Sequence, residues 1–173
     1  MVRNKKDPKI MIGSSFKFGD DISTDLIAPG RFFHLRSNLP ELAKHVLEDA
    51  DPEFAKKVKP GDFVVGGRNF GLGSSREHAP LVIKFAGVGA VLAKSFARIF
   101  FRNSINVGLP VLICDTDKID SGDILEIDLE KGIIINKTKN LKLKFNPLPG
   151  VMIKILNDGG LTSHIIKNKG FNL

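Results

Sequence analysis

Apolar and polar positions along the first two thirds of the chain form short segments of two kinds. Compact segments bounded by turn residues predict strands at residues 15–18, 63–65, 90–93 and 111–114. Apolar side chains at helical spacing predict helices at residues 40–49, 52–58, 75–85 and 96–105. Strands that alternate with helices predict an α/β arrangement.

The pattern changes in the last third of the chain. Residues 124–129 alternate apolar and polar side chains, a Glu-Lys-Gly turn follows, and the alternation resumes in residues 132–145, as in an antiparallel meander. Two closing helices are predicted at residues 148–156 and 161–166, separated by the pair Gly159-Gly160. Because no internal repeat or low-complexity linker interrupts the chain, we predict a single domain over residues 1–173.

The chain is basic, with a net charge of +7 and a pI near 9.6. Such a charge attracts nucleic acid, an acidic protein surface or a polycarboxylate equally well. Nucleic acid is disfavoured because the chain has no Trp or Tyr and no basic motif interleaved with aromatic residues. A basic RNA-binding module stays as the alternative that is not an enzyme.

Cysteine content and hydrophobicity limit the class of protein further. A single cysteine, Cys114, cannot form an internal disulfide or supply the thiolates of a zinc or iron-sulfur site, so we expect no metal in this chain. The charged N-terminus leads into no apolar stretch of signal-peptide length, and no segment approaches the roughly 20 apolar residues of a membrane helix. We therefore expect a cytoplasmic protein with no membrane partner.

The run of residues 66–80, GGRNFGLGSSREHAP, is rich in residues that suit a negatively charged ligand. Gly71 and Gly73, on either side of Leu72, allow a tight turn and a close approach of backbone to ligand. Two serines follow at the predicted junction of strand and helix, where free N–H groups favour an anion, and an arginine adds a planar group suited to a carboxylate. The candidate residues of this carboxylate-binding loop are Gly71, Gly73, Ser74, Ser75 and Arg76.

A structural interpretation competes with the functional one, because Ser74 and Glu77 have the spacing of a helix capping box. The run lacks the Gly-Lys-Ser/Thr ending of a phosphate loop, the third glycine of a dinucleotide site and the G-x-S-x-G pattern of a nucleophile elbow. His78, four residues after Ser74, is interpreted as a surface or structural histidine. The remaining histidines have no metal-ligand spacing.

Three motifs in fixed order resemble a known family. They are GDDISTDLIAPGRF at residues 19–32, GRNFGLGSSREHAP at residues 67–80 and AKSFARIFFRNSINVGLP at residues 93–110. Together they resemble the small subunits of 3-isopropylmalate dehydratase, which are similar to the swivel domain of aconitase. The resemblance implies an α/β fold, a swivelling β/β/α three-layer domain with a mixed sheet.

The resemblance also implies a function. Such a subunit closes over a large catalytic subunit that carries a 4Fe-4S cluster, and it binds no cofactor itself. The implied reaction is that of a hydro-lyase, which interconverts 2-isopropylmalate and 3-isopropylmalate in leucine biosynthesis, and which is active only as the complex. The substrate is a small hydroxy-polycarboxylate, and the open iron of the cluster acts as Lewis acid on its hydroxyl group.

Site residues follow from the matching motif positions. The resemblance implies that Ser74 is the base that takes the proton from carbon, and that Ser75 and Arg76 contact a substrate carboxylate. Positive charge must then stabilise the serine alkoxide, as in an oxyanion hole. Residues expected to have a supporting or structural role are Asp25, Gly71, Gly73 and Glu77.

A further arginine, from residues 31–36, is implied to contact the substrate, and Arg31 and Arg36 are both candidates, with Arg36 favoured. Apolar residues in this loop, such as Phe33, suit an isopropyl group, whereas Arg36 suits the extra carboxylate of homocitrate. The chain lacks the tyrosine-leucine pair that is usual in this loop, and Leu72 stands where many members have a cysteine. A homoaconitase-type subunit is therefore the alternative enzyme, and a purely structural subunit is a third possibility.

Overall fold

The computed structural model describes residues 10–170, so the expectation about the charged N-terminus falls largely outside the described residues. The strands are β1 Ile10–Lys17, β2 Phe63–Val65, β3 Ala90–Ala93, β4 Val111–Ile113, β5 Ile124–Asp128, β6 Ile133–Asn136 and β7 Leu141–Lys144. The α-helices are α1 Thr24–Ile27, α2 Leu39–Leu42, α3 Phe54–Lys57, α4 His78–Phe85, α5 Arg98–Val107, α6 Gly150–Asn157 and α7 Leu161–Asn168. Short 3-10 helices lie at Gly30–Leu35, Ala43–His45 and Thr116–Lys118.

All the described strands join one mixed sheet in the order β4-β3-β2-β1-β5-β6-β7. Strands β1 to β4 pair in parallel, whereas β5, β6 and β7 form the predicted antiparallel meander next to β1. In the meander, Leu125, Ile127 and Ile134 are buried while Ile124 and Ile135 are exposed. The alternation in the sequence thus marks one buried and one exposed face.

Strand β1 is longer than the predicted strand at residues 15–18. Its first half, residues 10–14, pairs with β5, and only residues 15–17 pair with β2. The backbone approaches Gly61 so closely at Gly13 that a Cβ atom there would lie 2.2 Å from the Gly61 carbonyl oxygen. A glycine inside the strand is therefore required by packing, and it hides the strand pattern in the sequence.

The sheet curls until its two edges meet. Cys114, directly after β4, forms an isolated antiparallel bridge with Phe145, directly after β7. The Asn146 N–H donates to the Ile113 carbonyl oxygen at 3.0 Å. The curl places the parallel half and the meander in two layers, and helices α4 to α7, which contact one another, form the third.

Most of the predicted order of strands and helices is confirmed, but the helix predicted at residues 40–49 is confirmed only in its first part and is wrong after residue 45. Helix α2 ends at Leu42, and a 3-10 turn leads to Leu47, whose φ is +55°. The Leu47 N–H donates to the Ile27 carbonyl oxygen at 3.0 Å, and the Leu47 side chain is fully buried. Burial of Leu47 and its bond to the last residue of α1 outweigh local helical preference here.

No helix within residues 10–170 is long and apolar enough to cross a membrane.

Candidate functional site

The three sequence motifs meet at the carboxyl ends of the parallel strands. They begin after β1, after β2 and at the end of β3, which are neighbouring parallel strands. The carboxyl ends of parallel strands share one edge of a sheet, where ligands of α/β proteins commonly bind. The motifs are therefore adjacent in the fold although they are far apart in the sequence.

Backbone hydrogen bonds hold the middle motif between the other two. On one side, the Gly71 N–H donates to the Ile22 carbonyl oxygen at 2.7 Å. On the other side, the Phe70 N–H donates to the Ser95 carbonyl oxygen at 3.0 Å. The loop of residues 71–77, which we call the serine loop, therefore begins from a backbone that is held on both sides.

Both predicted glycines have positive φ angles, +81° for Gly71 and +108° for Gly73. A Cβ atom at Gly71 would lie 2.1 Å from Cγ of Phe100, a buried side chain. At Gly73 the nearest atom to such a Cβ would be the Thr24 hydroxyl oxygen, at 3.1 Å. The turn therefore requires glycine at both positions, and at Gly71 for reasons of space as well.

The predicted capping box and the helix start at residue 75 are wrong. Helix α4 begins at His78, Glu77 is its N-cap residue, and no side chain caps it. The Ser74 carbonyl oxygen instead accepts hydrogen bonds from the Arg76 N–H at 2.7 Å and the Thr24 hydroxyl at 3.1 Å. A helix from residue 75 would put Pro80 in its interior, where the ring would clash with the Arg76 carbonyl group.

The two serines are exposed at the surface of the described residues. Within residues 10–170, neither hydroxyl group has a hydrogen-bond partner. The serine hydroxyls are thus open to a ligand or to a second protein surface.

The side chain of Arg76 is held by hydrogen bonds from one nitrogen of its guanidinium group. Its Nη1 donates to Asp25 Oδ1 at 2.8 Å and to the Ala28 carbonyl oxygen at 3.0 Å. The same Asp25 oxygen accepts the Gly30 N–H at 3.1 Å. Asp25 therefore links the serine loop to the start of the 3-10 helix at Gly30–Leu35. The other N–H groups of the Arg76 guanidinium have no hydrogen-bond partner among the described residues.

The two candidate arginines have different surroundings. Arg31 forms a pair of 2.7 Å hydrogen bonds with the carboxylate of Asp49 and a further bond to Glu48. This guanidinium holds the pKa of Asp49 below its usual range, and the two carboxylates raise the pKa of Arg31. Arg31 is thus bound to carboxylates of its own chain.

Arg36 has no acidic partner among the described residues. Its guanidinium lies over the ring of Phe33, with Cζ 4.4 Å from the ring centroid, and its Nη1 donates to the Phe33 carbonyl oxygen at 3.3 Å. Phe33 is 49% exposed. A cation and a large apolar surface are therefore presented side by side.

His78, interpreted from the sequence as a surface or structural residue, lies among the predicted site residues. Its ring contacts Phe33, with centroids 5.7 Å apart and an interplanar angle of 64°. Burial lowers the pKa of His78, and the charges of Arg76 and Arg36 lower it further. The only sign in the sequence that His78 belongs to the site is its spacing of four residues from Ser74. Phe33 and Arg36 come close to His78 only in the folded chain.

The described part of the chain does not fit an iron-sulfur cluster. Within it, no group of three or more His, Cys, Asp or Glu side chains could hold a metal ion. Cys114 is buried, and burial raises the pKa of its thiol to about 12. A thiol in that environment stays protonated, whereas a cluster requires several thiolates.

The curled α/β sheet, with a serine-arginine loop at its carboxyl edge, defines a domain of the aconitase swivel class. The family model described as "Aconitase C-terminal domain" matches residues 34–116. More narrowly, the chain belongs to the family of 3-isopropylmalate dehydratase small subunits. The resemblance expected from the three motifs is thereby confirmed.

Two relatives and one solved structure illustrate the similarity. Small subunit 2 of 3-isopropylmalate dehydratase from Archaeoglobus fulgidus is 68% identical over 91% of this chain and 96% of its own length. Small subunit 1 from Thermotoga maritima is 58% identical over 92% of this chain and 96% of its own length. The crystal structure of 3-isopropylmalate dehydratase from Methanocaldococcus jannaschii is 49% identical with a TM-score of 0.90, covering 93% and 96% of the two chains. The predicted α/β swivel fold is confirmed.

Proposed function

We propose that this chain is the small subunit of a two-subunit 3-isopropylmalate dehydratase, which interconverts 2-isopropylmalate and 3-isopropylmalate by removal and re-addition of water. The observation that carries the proposal is the 68% identity with an A. fulgidus small subunit over 91% of the chain. The exposed serine pair beside Arg76 supports it, because the substrates are hydroxy-dicarboxylates. The complex is expected to work in the cytoplasm.

Ser74 is the proposed base. Elimination of water requires a group that takes a proton from the carbon next to a carboxylate and returns it in the reverse reaction. A free serine hydroxyl is too weakly acidic to be ionised at neutral pH, so nearby positive charge must stabilise the alkoxide. Arg76, two residues later in the same loop, is the nearest cation in the sequence.

Arg76 and Ser75 are the proposed contacts to a substrate carboxylate. Asp25 and the Ala28 carbonyl oxygen orient Arg76 through Nη1 and leave its remaining N–H groups for a ligand. A guanidinium binds a carboxylate well because two parallel N–H groups match its two oxygens. Ser75 can add a hydroxyl donor next to this pair.

The other half of the site is proposed to come from a large subunit. The serine loop is open on its outer side, and the residues of this chain do not fit an iron-sulfur cluster. A 4Fe-4S cluster in the large subunit would supply a Lewis acid for the departing hydroxyl group. The small subunit then contributes the base and the carboxylate contacts.

A second candidate substrate is a tricarboxylate such as homocitrate, and the position of Arg36 favours it. Arg36 is exposed next to Phe33 and, among the described residues, has no carboxylate partner. An extra carboxylate on the substrate could use this guanidinium, whereas an isopropyl group would use the Phe33 ring.

The test is reconstitution. The purified chain is mixed with its large subunit under anaerobic conditions, and isopropylmalate, homoaconitate and citrate are assayed as substrates. We expect turnover of isopropylmalate by the mixture and by neither subunit alone. Turnover of homoaconitate alone would favour the second candidate, and no turnover of any substrate would reject the enzyme assignment.

The same assay tests the base. Ser74→Ala should lower kcat by about 100-fold or more, the typical contribution of a general base. Co-elution with the large subunit should be unchanged, because the Ser74 hydroxyl has no partner within residues 10–170. Ser163→Ala, which removes an exposed hydroxyl group in α7, is the matched control. Unchanged kcat in the Ser74 variant would exclude it as the base.

A further inference from the structure

The side chains of Phe33, Arg36 and His78 form a contact between two segments of the site. Arg36 covers the Phe33 ring at 4.4 Å, and the His78 ring meets Phe33 at 5.7 Å and a steep angle. Phe33 and Arg36 belong to the segment of residues 30–36, while His78 directly follows the serine loop as the first residue of α4. The contact therefore joins the apolar surface offered to the substrate with the loop that carries Ser74.

The segment of residues 30–36 is held by side-chain contacts, among them the ion pairs of Arg31 with two carboxylates. Its 3-10 helix, Gly30–Leu35, contains no buried residue and has no side-chain cap. Asp25 holds its first residue through the Gly30 N–H at 3.1 Å. The Phe32 ring stacks on the His45 ring, with centroids 3.8 Å apart. His78 is the partner on the side of the serine loop.

Charge around His78 favours a neutral ring. Partial burial lowers the pKa of His78, and the positive charges of Arg76 and Arg36 lower it further. A neutral imidazole can pack against an aromatic ring without adding a third positive charge between two guanidinium groups. Phe33 is therefore held by a ring that does not compete with the arginines for an anionic substrate.

We infer that His78 is a positioning residue that fixes the Phe33 ring against the serine loop and so sets which variable group the substrate can carry. This inference rests on the proposed function, because it concerns the same site. The imidazole takes no part in proton transfer. Its ring keeps Phe33 in the place where an isopropyl group would pack, while Arg36 makes a separate contact with the same ring.

The test uses three variants in the reconstituted complex. His78→Ala removes the ring, and His78→Phe keeps an aromatic ring without nitrogen. His45→Ala is the matched control, because it removes the other histidine-phenylalanine contact of the same segment. The values of kcat and KM are measured with 3-isopropylmalate and with citrate. Wild-type turnover of isopropylmalate is a precondition, and its absence would reject the proposed function without bearing on His78.

His78→Ala should raise KM for isopropylmalate about five-fold, as expected for the loss of one aromatic contact, with kcat within about two-fold of wild type. His78→Phe should restore KM, and the preference for isopropylmalate over citrate should fall only in His78→Ala. His45→Ala should leave that preference unchanged. An equal fall of kcat in both His78 variants would overturn the inference, because it would assign the imidazole to the chemistry.

A second measurement does not depend on activity. In the isolated chain labelled with ¹⁵N, His78→Ala should shift the amide signals of residues 30–36, and His78→Phe should shift them less. Unchanged signals of this segment in His78→Ala would overturn the inference even if the complex is active.

Discussion

Arg31 and Arg36 lie five positions apart in the sequence, yet only one is available to a ligand. The Arg31 guanidinium donates to Asp49 and Glu48, whereas the Arg36 guanidinium has no carboxylate partner among the described residues. A guanidinium that already has two carboxylate partners gains little from a third, because its donors are occupied. Arg36 is therefore the arginine that we expect to meet the substrate.

Replacing each arginine with alanine distinguishes a substrate contact from a structural ion pair. Arg36→Ala should raise KM of the reconstituted enzyme about ten-fold or more for a substrate that uses this cation, with little change in the melting temperature of the chain. Arg31→Ala should lower the melting temperature and leave KM nearly unchanged. Steady-state kinetics and thermal unfolding measure the two effects. A larger KM effect from Arg31 would reverse the assignment.

Side-chain partners are the part of the site that the sequence could not predict. The motif placed Ser74, Ser75 and Arg76 in one loop, and the structure brings Asp25 and Phe33 to that loop. The partners of Arg31 could not be predicted, because Glu48 and Asp49 lie in turns that the apolar spacing presented as helix. His78 was missed since its importance depends on Phe33, which is distant in sequence and near only after folding.

The serine loop is an element whose shape is set by its glycines. Gly71 combines a φ of +81° with a backbone that passes directly over Phe100, while Gly73 has open space beyond the Thr24 hydroxyl. The Phe100 ring is also packed against Phe70, at 5.5 Å, and cannot move without disturbing the core. The two glycines should therefore differ in their tolerance of a methyl group.

Alanine at each glycine tests this difference. Gly71→Ala should lower the free energy of unfolding by about 3 kcal/mol, from backbone strain and overpacking together. Gly73→Ala should cost about 1 kcal/mol, since backbone strain is its main effect. Urea unfolding followed by circular dichroism gives both values. Equal losses would contradict the assigned contact with Phe100.

The helix after the serine loop also shows which local signals decide an element's start. Ser74 and Glu77 have capping spacing, but Pro80 allows the helix to begin only within a few residues of itself. Helix α4 therefore starts at His78 and leaves the serines in an exposed turn. Strands β2 and β3 were predicted with their exact bounds because each is a short buried apolar run between turn residues.

The pair of helices at the C-terminal end, α6 and α7, carries a pH-dependent contact. Asp158, at the end of α6, accepts hydrogen bonds from Lys167, from His164 at 2.8 Å and from Asn168 at 3.3 Å. Lys167 and then His164 lower the pKa of Asp158 to about 2. Because an unfolded aspartate has a pKa of about 4, the ionised carboxylate stabilises the fold above that pH, and this stabilisation is lost as the pH falls toward 2.

Asp158→Asn should therefore lower the melting temperature at pH 7 and reduce its further decline between about pH 4 and pH 2. Part of the decline in melting temperature will remain, because other carboxylates in ion pairs are also protonated in this pH range. Glu130→Gln, which neutralises an exposed carboxylate in a turn, is the control and should follow the wild-type profile. Thermal unfolding at a series of pH values measures the effect, and an unchanged decline in the aspartate variant would contradict the assigned contacts.

At the scale of the whole molecule, the order of elements was predictable but the closure of the sheet was not. Hydrophobic periodicity predicts the parallel half and the antiparallel meander separately. The contact between their edges, Cys114 with Phe145, is a non-local pairing that no periodicity records. The curled sheet carries all three motifs at the carboxyl ends of its parallel strands. Because the serine loop there is exposed, a second surface is needed to enclose a substrate.

The division of labour between the subunits yields the last prediction. If the cluster belongs to the large subunit, each subunit can be treated separately with an iron chelator in air and then recombined anaerobically with an untreated partner. Treated small subunit should restore full turnover, because the described part of this chain has no group of side chains fit for a metal and Cys114 is buried and protonated. Treated large subunit should give none. Loss of turnover after treatment of the small subunit alone, or a lower melting temperature of this chain in chelator, would place a metal in this chain.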